Sequence, residues 1–120
     1  MILALLPLLG CAVPSPTPDV SRAPPAATRA CADLPDVSWE AWGAGFFRTY
    51  CTACHSSANL DARNGAPEGI DFDTEASVRA RAQDVRRVVL ENGTMPVGGG
   101  VYTDDLVLLE VFLACGMADP

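Results

Sequence analysis

Within the 120 residues, the run Cys51-Thr52-Ala53-Cys54-His55 combines side-chain types and spacing that point to one specific chemistry. C-x-x-C-H is the attachment signature for c-type haem. Each cysteine thiol can add across one haem vinyl group. The two-residue spacer matches the separation of the vinyls when the segment is coiled as a helical turn. The histidine after the second cysteine is then placed to bind the iron. A bare C-x-x-C pair also occurs in zinc sites and dithiol redox sites. A structural zinc needs four protein ligands, whereas the chain offers one such pair and a single histidine. Adjacent Cys54 and His55 are also poorly placed to share one small tetrahedral ion. A thioredoxin-like site needs a strand-helix-strand frame. The flanks here read as helix before the motif and a Gly/Asn/Pro-rich loop after it. A chance occurrence in an unrelated domain is the remaining alternative.

Iron held by one histidine takes a sixth ligand or keeps an open position. A bis-histidine site within this chain is excluded by its single histidine. Of the three methionines, Met1 leaves with any leader, Met117 lies just beyond the last predicted helix, and Met95 sits in a Gly-rich loop over 93–100. A thioether there suits His/Met ligation, which raises the reduction potential. Pro96 restricts one backbone angle beside Met95, and the glycines let the backbone run close to a flat ring. The plainer role for Met95 is an apolar gap-filler.

The elements that must position these groups read as helices. Ser38 suits an N-cap, with a helix predicted over 39–50. Trp42, Phe46, Phe47 and Tyr50 recur on it at helical spacing, as a packing stripe rather than a binding patch. Residues 56–69 read as loop, with Asn59, Asn64, Gly65 and Pro67 as turn formers. A second helix is predicted from Asp73 or Thr74 to Asn92-Gly93, with Val78, Ala82, Val85 and Val89 as its apolar stripe and Gly93 suited to the position after the cap. Arg79, Arg81, Arg86 and Arg87 lie on the same helix. They read as a solvated face with ion pairs to nearby acids, the alternative for one of them being a haem propionate. A last helix is predicted from Thr103, with Asp104 and Asp105 favourable at its positive end. It runs through Leu106, Leu109 and Phe112 to Ala114 or Cys115, where Gly116 stops it.

The segment 37–116 resembles a small class I cytochrome c. Members of that family carry a glycine and an aromatic residue eight and four positions before the first haem cysteine; Gly43 and Phe47 occupy those positions before Cys51. In the family, the glycine lets the first helix cross closely against the last. The order also matches: helix, C-x-x-C-H, loop, helix, Met-Pro loop, final helix. The resemblance implies an all-α, cytochrome c-like fold wrapped around one covalent haem c. It also implies His55 and Met95 as axial ligands and electron transfer as the activity. The chain departs from better-known members in having no lysine, all eight basic residues being arginines. It therefore lacks the lysine ring that mitochondrial-type members use for docking.

Residues 1–10 are almost wholly apolar. They are too short for a bilayer span of about 20 residues and resemble the core of an export signal. Leu8-Leu9-Gly10-Cys11 resembles a bacterial lipobox, in which Cys11 is lipidated, although no basic residue precedes the apolar run. The alternative is a non-lipidated export signal cut after Ala12. Residues 11–30 read as a Pro/Ala-rich tether that cannot bury a core. At about 3.1 Å per residue such a stalk reaches on the order of 60 Å. The cytochrome c-like domain is then 31–120. Of the five cysteines, Cys31 and Cys115 are left after lipid and haem are assigned. In an oxidising compartment such a pair is expected to form a disulfide. The first and last helices touch in the class I fold, so the two ends can meet. The bridge would contribute about 4–5 kcal/mol in the chain-entropy picture; two buried free thiols are the alternative.

The net charge of −7 argues against nucleic acid as a partner. The expected protein is a monomeric, non-enzymatic electron carrier, exported to the periplasmic side of a bacterial membrane and lipid-anchored there. Its expected partners are redox proteins docked in small, transient complexes. Two other readings remain. One is a haem-based sensor or ligand-binding protein with a labile or open sixth position. The other is a haem-free structural lipoprotein.

Overall fold

The computed structural model describes residues 31–117. The expected leader over 1–10, the tether over 11–30 and Cys11 lie outside the described residues. Among the described residues every regular element is helical and none is a strand, which makes this part of the chain all-α.

Helix α1 (39–50) starts where the sequence places it. The Ser38 side chain accepts the Ala41 N–H at 3.3 Å, which satisfies one of the donors a helix start leaves free. Its first turns, Trp39–Gly43, are wound wide, with the Gly43 N–H reaching the Ser38 carbonyl. Ala44–Tyr50 is ordinary α-helix. The coil does not stop at Tyr50. The N–H of Thr52 bonds the Phe47 carbonyl, and the N–H of His55 bonds the Cys51 carbonyl at 2.9 Å. The C-x-x-C-H segment is thus itself a helical turn.

A loop follows, with one short helical turn, Ser57–Asn59, and further tight turns closed by Ala62 on Asn59, Ala66 on Arg63 and Ile70 on Pro67. Helix α2, Glu75–Arg79, is opened by a reciprocal cap in which Thr74 and Ser77 each bond the other's backbone N–H. The sequence predicts one helix from here to residue 92, and the chain instead breaks. Arg81 leaves helical geometry at φ −123°, ψ 18°, and α3 (82–91) begins anew. Ala80 and Arg81 are good helix formers, so propensity does not cause the break. What accompanies it is tertiary: the Arg81 guanidinium donates to the Gly69 carbonyl at 3.2 Å. The offset leaves Val78, Val85 and Val89 buried together, so the predicted stripe survives on two short helices instead of one. Asn92 caps α3, and Gly93 follows at φ +60°.

Helix α4 (103–116) starts at Thr103 with Asp104 and Asp105 in its first turn. It runs through a wide final turn, Phe112–Gly116, and is capped at Met117. It therefore extends past the Ala114–Cys115 stop expected from Gly116.

The core joins these helices. Phe46, Phe47, Phe72, Val78, Val85, Val89, Leu109, Phe112 and Met117 are all buried in one cluster. Phe47 meets Phe72 at 5.6 Å and Phe112 at 6.0 Å between ring centroids. A Cβ at Gly43 would lie 2.7 Å from the Phe112 ring, so any larger residue would force α1 off α4. Phe112 is fully buried, and its truncation to alanine would cost about 3–5 kcal/mol. Cys31 and Cys115 form a disulfide with Cα atoms 5.5 Å apart, which joins the start of the described chain to the end of α4. The four helix arginines are paired, as expected: Arg79 with Glu75, Arg81 and Arg87 with Asp84, and Arg86 with Glu110.

Candidate functional site

Between the end of α1, the loop after it, α3 and the Met95 loop lies an apolar cavity of about 320 Å³. Its walls include Phe46, Tyr50, Ile70, Phe72, Val85 and Val89, and Cys51, His55 and Met95 open onto it. An adjoining cavity of about 510 Å³ shares Cys51, His55 and Met95 and adds Cys54 and Val97. All four residues singled out in the sequence for haem therefore border two cavities that share Cys51, His55 and Met95, with Cys54 on the second. Volumes of this size are in the range of cofactor sites, about 300–1,000 Å³.

His55 is held in one orientation. Its Nδ1 lies 3.0 Å from the Ile70 carbonyl oxygen. A carbonyl can only accept, so Nδ1 carries a proton, and in the neutral imidazole Nε2 is then the nitrogen with the lone pair. This is the arrangement in which a histidine serves as a metal ligand. The backbone is clamped at the same place, because the Phe72 N–H donates to the His55 carbonyl at 2.9 Å. The Phe72 ring packs against the imidazole with centroids 5.4 Å apart.

The motif turn is capped by Asn59, whose Nδ2 donates to the carbonyls of Thr52 at 2.7 Å and Ala53 at 3.0 Å. Cys51 and Cys54 are free thiols, both half-buried. Burial pushes the Cys51 thiol up to about 12. A dithiol redox site has the opposite character, a thiolate of lowered pKa. Nor do three or more His, Cys, Asp or Glu side chains gather into a metal set among the described residues, as structural zinc would need.

Met95 is more open, at 37 % exposure. Its N–H and that of Thr94 both bond the Val88 carbonyl, at 3.0 and 2.8 Å, which folds the loop back over the end of α3. Gly98, Gly99 and Gly100 follow in succession at φ +88°, +72° and +92°. Three consecutive left-handed residues are a path open in practice only to glycine. Met117, the other methionine of the described chain, is buried in the core and is not part of the site.

Around the rim, Arg81 and Arg87 border the cavity with Asp84, to which both are paired. Tyr50 donates its hydroxyl to Asp105 at 2.6 Å, tying the cavity wall to α4. That bond to the Asp105 side chain, followed by desolvation, raises the Tyr50 pKa above its ordinary value.

Two residues of the site escape a reading of the sequence. Ile70 acts through its backbone carbonyl, which no residue type advertises. Arg63 is buried in the loop and donates to the carbonyls of Ser56, Ala66, Pro67 and Ile70. Its one sequence signal is to be the only basic residue among the turn formers of 56–69. Comparison with protein-family models, with curated proteins and with solved structures yields no match.

Proposed function

We propose that this chain is a monohaem c-type electron carrier of the class I cytochrome c type. The observation that carries the proposal is the convergence of Cys51, Cys54, His55 and Met95 on two neighbouring cavities, with His55 Nδ1 directed at the Ile70 carbonyl. The donor set fits the group: two free thiols at the attachment spacing, one imidazole with a bare Nε2, and one soft thioether. Bound haem supplies a one-electron ferric/ferrous couple. Cys51 and Cys54 hold it covalently, and His55 and Met95 bind its iron. The apolar wall of Phe46, Phe72, Val85 and Val89 excludes water from it. Arg81 and Arg87 are the candidates for meeting its propionates.

The Cys31–Cys115 bridge supports an oxidising compartment, in agreement with export and a lipid anchor on Cys11. Partners are redox proteins docked transiently, and the chain has no substrate chemistry of its own. A second reading, a haem sensor with a displaceable sixth ligand, draws on the exposure of Met95.

The experiment is an optical spectrum of the protein expressed with the haem-attachment machinery, in ferric and ferrous forms, with carbon monoxide added to the ferrous form. A low-spin spectrum with a weak far-red sulfur-to-iron band and no response to carbon monoxide is expected for the electron carrier. Rapid carbon monoxide binding would transfer the case to the sensor. Absence of covalent haem would end both readings.

A further inference from the structure

The loop after the C-x-x-C-H turn is organised around one buried cation. Arg63 Nη1 donates to the Ser56 carbonyl at 2.6 Å, Nε to Ala66 at 3.2 Å, and Nη2 to Pro67 at 2.7 Å and Ile70 at 3.2 Å. Asp71 Oδ1 also lies 2.7 Å from Nη2 and pairs with it. Nη2 has three oxygens nearby, the Pro67 and Ile70 carbonyls and the Asp71 carboxylate. The Ile70 oxygen thus carries two donors, Arg63 Nη2 on one lone pair and His55 Nδ1 on the other.

We infer that Arg63 is a positioning residue for His55: through the shared Ile70 carbonyl it sets both the ring's orientation and its strength as a ligand. The inference rests on the reading of His55 as an iron ligand. A ligand imidazole donates more strongly to its metal when a strong acceptor pulls on its other N–H. A guanidinium on the same carbonyl draws electron density from that acceptor, and it does so in an interior where charge is weakly screened. The pull on Nδ1–H is weakened, His55 becomes a poorer donor, and the ferrous state gains relative to the ferric. Asp71, 2.7 Å from Nη2, offsets the guanidinium's net charge, so the effect runs through the carbonyl. It raises the reduction potential, by a route separate from that of Met95.

The test uses the whole haem-loaded protein and the variants R63Q and R63K. A haem-stained denaturing gel of the wild type comes first; no covalent haem there overturns the haem reading, and this inference with it. With haem attached, R63Q is expected to lower the midpoint potential by an amount equivalent to about a tenfold rise in the ferric-to-ferrous ratio at fixed applied potential, about 59 mV for one electron. R63K keeps the charge and is expected to fall by less than half as much. A brace without electronic effect gives the opposite sign, because a loosened carbonyl pulls less on Nδ1–H; an unchanged or raised potential in R63Q therefore overturns the inference. One measurement needs no variant. In the NMR spectrum of the ferrous wild type, the Arg63 guanidinium and His55 Nδ1 protons are expected to exchange slowly. A freely rotating, fast-exchanging Arg63 guanidinium overturns the inference even if neither variant folds.

Discussion

On the His55 side of the cavity, the loop over 56–72 is tied to itself by a buried guanidinium, by the Asn59 cap on the motif turn and by backbone bonds from 70–72 to His55. On the Met95 side, the loop over 93–102 has two backbone bonds to Val88, three left-handed glycines and an exposed methionine. The two candidate ligands are therefore presented with different stiffness. One ring nitrogen is aimed by groups that leave it a single tautomer, while the sulfur is carried on a loop with few contacts. In an electron carrier of the proposed kind, the histidine would be oriented before iron binds, while the methionine would be drawn in by it. It also explains why a carrier and a sensor reading share the same residues: they differ only in how firmly the compliant side closes.

The contrast can be broken most forcefully at Arg63. Replacing it with alanine strands the Asp71 carboxylate and takes one donor from each of four backbone carbonyls. The expected loss is about 3 kcal/mol, at the low end of the 3–5 for breaking a buried pair, because Asp71 retains 23 % exposure. Chemical denaturation of the haem-loaded protein would measure it, and a loss below about 1 kcal/mol would remove the claim that this side is the stiff one.

On the compliant side, Gly99→Ala forces a Cβ onto a left-handed residue at φ +72° with open space around it. A cost of about 1 kcal/mol is expected from backbone strain alone, and the same unfolding experiment reads it. A much larger cost would show that the Met95 loop is as braced as its counterpart.

Met95→Leu separates ligation from folding. A swap of this kind alters stability by less than about 1.5 kcal/mol, and Met95 is already 37 % exposed. In the haem-loaded protein the far-red sulfur band should disappear and the ferrous form should gain carbon monoxide binding, any stability loss beyond the packing change reporting the lost iron–sulfur bond. Retention of the band would remove Met95 from the site.

The smallest effect is expected at Asp73, which accepts from both the N–H and hydroxyl of Ser57. Hydrogen bonding, first from the Ser56 hydroxyl and then from the Ser57 N–H, holds its carboxyl below the ordinary value of 3.8. A carboxylate whose folded pKa is depressed stabilises the fold above its unfolded pKa, and that contribution is lost as pH falls through the folded one. Asp73→Asn should therefore be slightly less stable than wild type near pH 6, with the gap closing as pH drops through and below the ordinary aspartate range. Thermal melts across pH 2–7 would show it, and a pH-independent gap would deny the carboxylate this role.

Much of the site was legible because it is local. The attachment motif needs only five consecutive residues, and the helical turn that presents it shows in the His55-to-Cys51 bond. Ser38 and Thr74 cap the helices they precede, and Gly93 follows the end of the helix it was expected to stop. Caps act within three residues, so residue type and spacing suffice. The valine stripe was also legible, since burial of Val78, Val85 and Val89 follows from helical period. The break at Arg81 was not, because nothing in Ala80-Arg81 disfavours a helix; it goes with a contact to Gly69, twelve residues upstream. The wide turns at the start of α1 and the ends of α3 and α4 were not legible either: two contain a glycine, Gly43 and Gly116, which does not specify the winding, and the third, over 86–91, contains none.

By itself, then, the sequence determined what is written in short spacings: which sulfurs and which imidazole lie on one turn, where capped helices begin, and which face of each is apolar. Tertiary structure decided what depends on distant backbone atoms. It chose the Ile70 carbonyl to accept from His55 Nδ1, set Arg63 on that same carbonyl, and brought Met95 to the cavity that Cys51 and His55 open onto. The reason is physical. A carbonyl is the same group in every residue, so which one becomes an acceptor for a buried donor is settled only when packing has brought the two within hydrogen-bond reach.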